Sequence, residues 1–162
     1  MNADAFRHLY EYHFAQNRMI WYFVMQLSQE QFTQPNPYSL GSVRNQVVHL
    51  MNIDDVWFTQ LTGASEIETW YPDDNDDRPA IRAHWDEVVQ RMHTYLDALR
   101  DDMLFTKPFP DHPEDKDMIL WQVLLHVANH GTDHRAQILR LINDMGFETP
   151  PQDYGLYVYD HP

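Results

Sequence analysis

The sequence predicts an all-α protein folded as an antiparallel four-helix bundle. Three observations favour this fold class: the 162 residues include only 5 glycines, the 10 prolines cluster between long unbroken stretches, and apolar residues in those stretches recur at three- and four-residue steps. Hydrophobic residues make up 43% of the chain, which is enough for a core, and the length is typical of one domain. We therefore interpret residues 1–162 as a single helical domain.

The first helix is predicted from about Asp4 to Gln29. One of its faces is defined by residues three or four apart, namely Phe6, Leu9, His13, Gln16, Ile20, Val24 and Leu27. Pro35 and Pro37 prevent the helix from continuing, because proline lacks the backbone N–H and clashes with the preceding turn.

The second helix is predicted to begin at Ser39 or Ser42, since both are good N-cap residues. It runs to about Leu61 and stops at Gly63, because glycine is typical of the position just after a helix. The following segment, SEIETWYPDDNDDRP (residues 65–79), is acidic, and we expect it to form a flexible loop.

The third helix is predicted from about Pro79 to Leu99, with a buried stripe of Ile81, Trp85, Val88, Met92, Leu96 and Leu99. A proline-rich connection leads to the fourth helix, predicted from about Met118 to Met145 and ended by Gly146.

The C-terminal tail, from Phe147 to Pro162, shows no helical period, and we expect it to lie along the bundle with its aromatic side chains over apolar gaps. Helix four is apolar on its back as well, where Trp121, Ala128 and Leu139 point away from His130. A second apolar face requires a second partner. This apolar face of helix four is either the interface of a homodimer or the surface that the tail covers.

The composition excludes several classes of partner. Asp and Glu total 25 against 11 Lys and Arg, a net charge of −14, so phosphate backbones and anionic lipids are repelled. The absence of cysteine excludes disulfides, thiolate ligands and a protein thiol nucleophile. The start MNADAF is not a secretory signal, and the longest apolar run, near Met19–Met25, is too short to span a bilayer. We expect a cytoplasmic protein that binds neither nucleic acid nor membrane.

Common catalytic motifs are missing from the sequence. It contains no GxSxG, P-loop or GxGxxG pattern, and no ExxH pair of the kind that ferritin-like di-iron bundles require. The run DDNDDRP (residues 73–79) offers oxygen ligands, but Arg78 replaces the glycine that a calcium-binding EF-hand loop needs. We interpret it as a solvated acidic loop.

The segment HVANHGTDHRAQ (residues 126–137) contains the main candidate site. It places His126, His130 and His134 four residues apart, on one side of the fourth helix. The pattern predicts His130 and His134 in the middle of the apolar stripe, with His126 and Asp133 toward a flank. Imidazoles in an apolar seam need partners for both ring nitrogens, and a divalent metal ion bound by an i, i+4 pair is one solution.

A third ligand has to come from another helix. His49, midway along the second helix, is the best candidate, and His13 on the first helix is the second best. His126 is expected either to be structural or to contact a metal-binding side chain without itself binding the metal. The remaining candidates are expected to face solvent: His84, His93, His112 and His161. Three nitrogen ligands leave a coordination position open, as in catalytic sites, and suit Zn, Ni, Cu or Fe.

Three segments carry a family resemblance: YEYHFAQNRMIW (residues 10–21), SLGSVRNQVVHLMNIDDVWF (39–58) and WQVLLHVANHGTDHRAQILRLI (121–142). They resemble the DinB/YfiT-like family, whose fold is a four-helix bundle with a histidine-ligated divalent ion. The resemblance implies that His49, His130 and His134 are the metal ligands, that the ion is nickel or zinc, and that the chain forms a dimer. It also implies relatives that are thiol-dependent transferases or isomerases. Arg135 and Gln137 match the positions that follow the family's histidine motif.

The function expected from these features is that of a metal-dependent transferase or hydrolase acting on a small molecule. Because the chain lacks cysteine, any thiol must arrive as a low-molecular-weight substrate or cofactor. Side chains that could orient the imidazoles are Asn45, Asn52, Asp133 and Gln137. The alternatives are a metal-stabilised interaction or sensor module, with the ion closed off by His13 or His126, and a helical adaptor without metal.

Overall fold

A computed structural model describes residues 2–64, 69–72 and 76–161, and all regular secondary structure in these ranges is helical. In chain order the elements are α1 (Ala3–Val24), α2 (Gln29–Thr33), α3 (Val43–Leu61), α4 (Arg78–Asp97), a 3-10 helix (Asp101–Phe105), α5 (Leu120–Asp144) and α6 (Tyr154–Asp160). The predicted all-α fold with four long helices is confirmed. Much of the predicted acidic loop, residues 65–68 and 73–75, lies outside the described residues.

Side-chain contacts show which helices run antiparallel. In α1 and α4, Arg7 donates to the Leu96 carbonyl oxygen at one end, and Arg78 donates to the Val24 carbonyl oxygen at the other. In α3 and α5, Gln46 lies against Gln137, while the Trp57 ring meets His126 further along. The two antiparallel pairs are thus α1 with α4 and α3 with α5.

The helices α3 and α4 run in the same direction. Asp54 accepts a hydrogen bond from Trp85, and Thr59 accepts one from Arg91, so the two contacts advance together along both helices. The connection between these helices, residues 62–77, must therefore link opposite ends of the bundle. Within this connection, Trp70 hydrogen-bonds Asn52 of α3, about one helical turn from His49 of the three-histidine site described below.

The predicted helix ends are largely observed. Ser42, one of the two serines considered, caps α3 by accepting from the Asn45 amide at 3.0 Å. Gly63 and Gly146 follow α3 and α5 with φ of 77° and 91°, a conformation in which glycine meets no steric penalty. Within the described residues, no helix has the length and apolar character to cross a membrane.

The first helix is shorter than predicted and ends at Val24. The reason is Ser28, which caps the separate helix α2: its hydroxyl accepts from the Gln31 amide, and the Gln31 side chain accepts from the Ser28 amide. This reciprocal capping box is visible in the sequence as Ser-x-x-Gln, so the break could have been predicted.

The tail was predicted without a helix, but residues 154–160 form α6, capped by Asp153. The expectation that tail aromatics cover the bundle surface is confirmed, because Tyr154 and Tyr157 pack edge-on against Tyr12 of α1, with ring centroids 5.2 and 5.4 Å apart. A seven-residue helix is too short for periodicity to reveal.

The buried stripe of α5 is rotated relative to the prediction. Gly131 and Arg135 are buried at its centre, whereas His130 and His134 are half-buried at its edge, facing α3. The prediction of both histidines in the middle of the stripe is wrong. The centre is taken by Arg135 because α1 presents polar partners for its guanidinium there, as shown below.

Candidate metal centre

Three histidines converge between α3 and α5. Each of His49, His130 and His134 offers a ring nitrogen that lies within 4.8 Å of those of the other two. The α5 pair is adjacent because residues four apart share a helical face, and antiparallel packing brings the α3 residue alongside them. We call these three residues the histidine cluster; its role as a metal site stays a prediction that this geometry supports.

The spacing of the nitrogens fits a single divalent ion. Nε2 of His49 lies 3.2 Å from Nε2 of His130. Two imidazoles bound to one ion at metal–nitrogen distances of about 2.0–2.1 Å, at a tetrahedral angle, have nitrogens about 3.3 Å apart. Each of the two rings therefore presents its Nε2 to the same point between α3 and α5. The donor set therefore suits a cation.

The surroundings keep the histidine cluster uncharged. Burial lowers the pKa of His49, His130 and His134, and in His130 the two neighbouring imidazoles lower the pKa further, to about 4. Neutral imidazole is the form that binds metal. At neutral pH all three rings can thus offer a lone pair.

Gln46 is a site residue that the sequence analysis missed. Its Oε1 lies 2.7 Å from Nδ1 of His134. Two of the side chains named as supports connect to it, since Gln137 contacts Gln46 and Asp133 contacts Gln137. Gln46 is fully buried on the α3 turn before His49, a polar side chain at a core position. That pattern was the available signal.

The other two side chains named as supports bind backbone atoms elsewhere. Asn45 donates to the Leu40 carbonyl oxygen at 2.8 Å. Asn52 holds the backbone of Trp70 at both ends, donating to its carbonyl oxygen at 2.7 Å and accepting from its amide at 3.2 Å. They shape the surroundings of the histidine cluster without touching its imidazoles in any described contact.

An open cleft of about 270 Å³ lies beside His49. The residues that line it within the described ranges include no acidic side chain and no lysine or arginine: Leu40, Asn45, His49, Asn52, Thr69, Trp70, Tyr71 and Pro72. The bidentate contact between Asn52 and Trp70 holds the outer wall of the cleft against α3. The cleft can accept a small, partly apolar molecule next to the histidine cluster.

His13, the second-best ligand candidate, is occupied elsewhere. It is fully buried, with Nε2 3.2 Å from Asp54 Oδ2 and Nδ1 3.1 Å from Arg135 NH1. Since a guanidinium only donates, Nδ1 accepts, and the Nε2 proton is donated to Asp54. Asn17 joins both partners, donating to Asp54 and accepting from Arg135. We call His13, Asn17, Asp54 and Arg135 the buried polar network.

His126, the other proposed fourth donor, is exposed and packs against Trp57 with ring centroids 5.3 Å apart. Among the described residues, no fourth histidine, aspartate or glutamate belongs to the group that includes His49. Three protein ligands leave room for an exogenous ligand, as catalytic metal sites do.

His84 does not face solvent as predicted. Its side chain is 9% exposed, lies 3.5 Å from Asp55 and stacks against Trp70 with ring centroids 4.6 Å apart. The periodicity of α4 places this residue beside the stripe, but the segment that contains Trp70 covers it. His93 is half-buried against Phe14, whereas His112 and His161 are exposed as predicted.

Comparison with known proteins shows sequence similarity over almost the whole chain. The sequence model of the DinB family matches residues 1–161. The chain is also similar to Protein DinB of Bacillus subtilis (strain 168), with 25% identity over 166 residues that cover 98% of this chain and 96% of that protein. The match spans all three helical segments that carry the resemblance.

Proposed function

The chain belongs to the DinB family, and from this premise we propose that it is a metal-dependent enzyme, a transferase or hydrolase acting on a small molecule. His49, His130 and His134 bind the divalent ion, with zinc or nickel as the expected metal. The observation that carries the proposal is the 3.2 Å separation of the His49 and His130 Nε2 atoms.

An enzyme is favoured over a closed structural site by the donor count. The two side chains that could have closed the coordination sphere are His13, whose ring nitrogens are both occupied, and His126, which is exposed. When bound, a divalent ion would polarise a substrate oxygen or sulfur, or lower the pKa of a coordinated water or thiol. An open position is what such chemistry requires.

The cleft beside His49 supports a substrate that is small and not strongly charged. Its walls offer the Trp70 ring and aliphatic surface, and both of its asparagines bind protein backbone. A low-molecular-weight thiol with an electrophilic partner is the substrate pair that we propose, because the chain has no cysteine to act as nucleophile. Asn52 and Trp70 position the molecule and exclude water on one side.

We also propose a homodimer. Leu125 on the outer surface of α5 and Leu156 of α6 are exposed by 39% and 51%, although the tail covers part of this face. Sedimentation equilibrium of the purified chain tests the assembly. A monomer at all concentrations, or a dimer unaffected by Leu125→Glu, would contradict an interface at this surface.

Metal binding is tested with untagged protein reconstituted with cobalt(II). His130→Ala and His134→Ala should each abolish the visible cobalt spectrum, because two nitrogens hold an ion weakly. His112→Ala is the matched control, since this histidine is exposed; His84 is unsuitable because it packs against Asp55 and Trp70. Full cobalt content in the His130→Ala variant would refute the site.

The open position is tested on the same sample. Added azide or a small thiol should shift the cobalt spectrum in the wild type. A spectrum that neither reagent changes would favour a closed, non-enzymatic site. A screen of small thiols with electrophiles, comparing wild type with His130→Ala, then tests the reaction class.

A further inference from the structure

Three polar side chains form a continuous chain from the protein surface to the histidine cluster. Gln137 Nε2 donates to Asp133 Oδ2 at 3.0 Å, and Gln46 Nε2 donates to Gln137 Oε1 at 2.8 Å. Gln46 Oε1 lies 2.7 Å from Nδ1 of His134. The Ser39 hydroxyl also donates to Gln137 Oε1. We call Asp133, Gln137 and Gln46 the amide relay.

The direction of the amide relay is set by its outer end. An ionised carboxylate offers only acceptors, so Gln137 must turn its NH₂ group toward Asp133 and its carbonyl oxygen toward Gln46. Gln46 must then present its own NH₂ group to Gln137 and its oxygen to His134. Reversing either amide would bring two oxygens, or two N–H groups, into contact at about 3 Å.

This direction of the hydrogen bonds determines which ring nitrogen of His134 carries the proton. Because Gln46 Oε1 accepts, His134 Nδ1 must carry the proton, and a neutral ring then has its lone pair on Nε2. Nε2 is the nitrogen on the ring edge away from Gln46. The contact also limits rotation of a ring that is only half-buried.

We propose that Gln46 is a positioning residue that holds His134 as the Nδ1–H tautomer, so that Nε2 presents its lone pair to the ion, with Asp133 and Gln137 setting the direction. The part of this inference that concerns metal affinity rests on the proposed function. The tautomer itself does not, since the amide relay is complete without an ion. Neither neighbouring ligand has such support in the described contacts; His130 Nδ1 is buried without a partner there.

The tautomer is measured directly by long-range ¹⁵N NMR on labelled protein, first metal-free at neutral pH and then with zinc. We expect His134 Nδ1 to show the protonated pattern in both samples and Nε2 to change on zinc addition. A metal-free ring protonated mainly on Nε2, or zinc bound through Nδ1, would overturn the proposal. This measurement needs no variant, so it decides the matter even if a substituted protein fails to fold.

The role of Gln46 is tested by two substitutions and a control. Gln46→Met keeps the length of the side chain but removes the acceptor, and it should weaken cobalt and zinc binding about 10- to 100-fold in chelator competition. Gln46→Glu retains the acceptor toward His134 but loses the N–H donor toward Gln137, so it should restore part of the affinity. Gln60→Met, about 21 Å further along α3, should bind metal as the wild type does.

The direction of the relay is tested at its outer end. Asp133→Ala frees Gln137 to reverse, so the Nδ1–H pattern of His134 should weaken, with a smaller loss of affinity than in Gln46→Met. Unchanged affinity and an unchanged His134 pattern in Gln46→Met would refute the positioning role. Wild-type protein that shows the Nδ1–H tautomer but binds no metal would instead refute the proposed function and leave the role of Gln46 in setting the tautomer.

Discussion

Two groups of polar side chains that contain histidine lie side by side in this bundle and differ in the partners of their ring nitrogens. In the buried polar network, both ring nitrogens of His13 have complementary partners, Asp54 on one side and Arg135 on the other. In the histidine cluster, ring nitrogens of His49 and His130 face each other at 3.2 Å. A core imidazole with two partners is structural, whereas imidazoles that converge on one point are arranged for a ligand.

The two groups also differ in charge. The buried polar network contains a carboxylate and a guanidinium, both almost fully buried, and burial lowers the pKa of Arg135 only to about 10, so it stays protonated at neutral pH. His13 lies between these opposite charges and is hydrogen-bonded to both. In the histidine cluster the pKa of each ring is lowered, so the rings are neutral at that pH and no positive charge of their own repels a bound cation. Neighbouring residues of α5 supply both groups, because successive side chains point to different neighbours.

The largest expected effect comes from breaking the charge balance of the buried polar network. Arg135→Met leaves the buried Asp54 carboxylate without its counter-charge and should lower the free energy of unfolding by about 3–5 kcal/mol, measured by urea denaturation. The double variant Asp54→Leu, Arg135→Met should recover part of the loss, because no unpaired charge remains.

The matched control is Arg140→Met on the same helix, where the arginine is exposed and pairs with Asp144. Its urea midpoint should stay at the wild-type value. His130→Ala, measured without metal, should lose clearly less stability than Arg135→Met. Equal losses in all three variants would remove the distinction between the two groups.

A smaller effect is expected at Gly131, where α1 and α5 approach closely. An added Cβ would lie 2.5 Å from His13 Cε1 and 2.8 Å from Arg135 NH1. Gly131→Ala should therefore lower the free energy of unfolding by about 1–3 kcal/mol, through overpacking. In an unconstrained helix the same change would stabilise the protein. A gain in thermal stability would show that His13 is free to move.

The smallest effect is a pH slope. Burial lowers the pKa of His13 below its usual value of 6.5. Below pH 6.5 the unfolded chain therefore binds a proton that the folded protein does not, so this contribution to stability is complete above pH 6.5 and is lost as the pH falls toward the folded pKa. The slope for one histidine cannot exceed about 1.4 kcal/mol per pH unit.

His13→Gln tests this assignment, because the amide offers both N–H donors and an acceptor oxygen but does not titrate in this range. Urea denaturation at pH 7, 6 and 5 should show a shallower decline than in the wild type. His112→Gln, at an exposed position, should leave the wild-type decline unchanged. A His13→Gln profile parallel to the wild type would mean that folding does not change the pKa of His13, which would contradict this assignment.

The local elements were accessible from the sequence because they depend on near neighbours. Periodicity placed the four long helices, and Ser42, Gly63 and Gly146 marked their ends through backbone conformation and capping. The pairing of His130 with His134 follows from the helical repeat alone. The short helix α2 was missed although its capping box is present in the sequence, and α6 was missed because seven residues show no period.

Only tertiary packing decided what the histidines face. Sequence placed both His13 and His49 on inner helix faces, and the choice between them depends on which helix lies opposite and at what register. The antiparallel packing of α3 on α5 brings His49 to the pair, while α1 carries His13 to Arg135. The polar Gln46 at a core position of α3 was a visible signal, but its contact with His134 could not be predicted: a hydrogen bond between residues 88 positions apart depends on the fold, whereas helical periodicity is local.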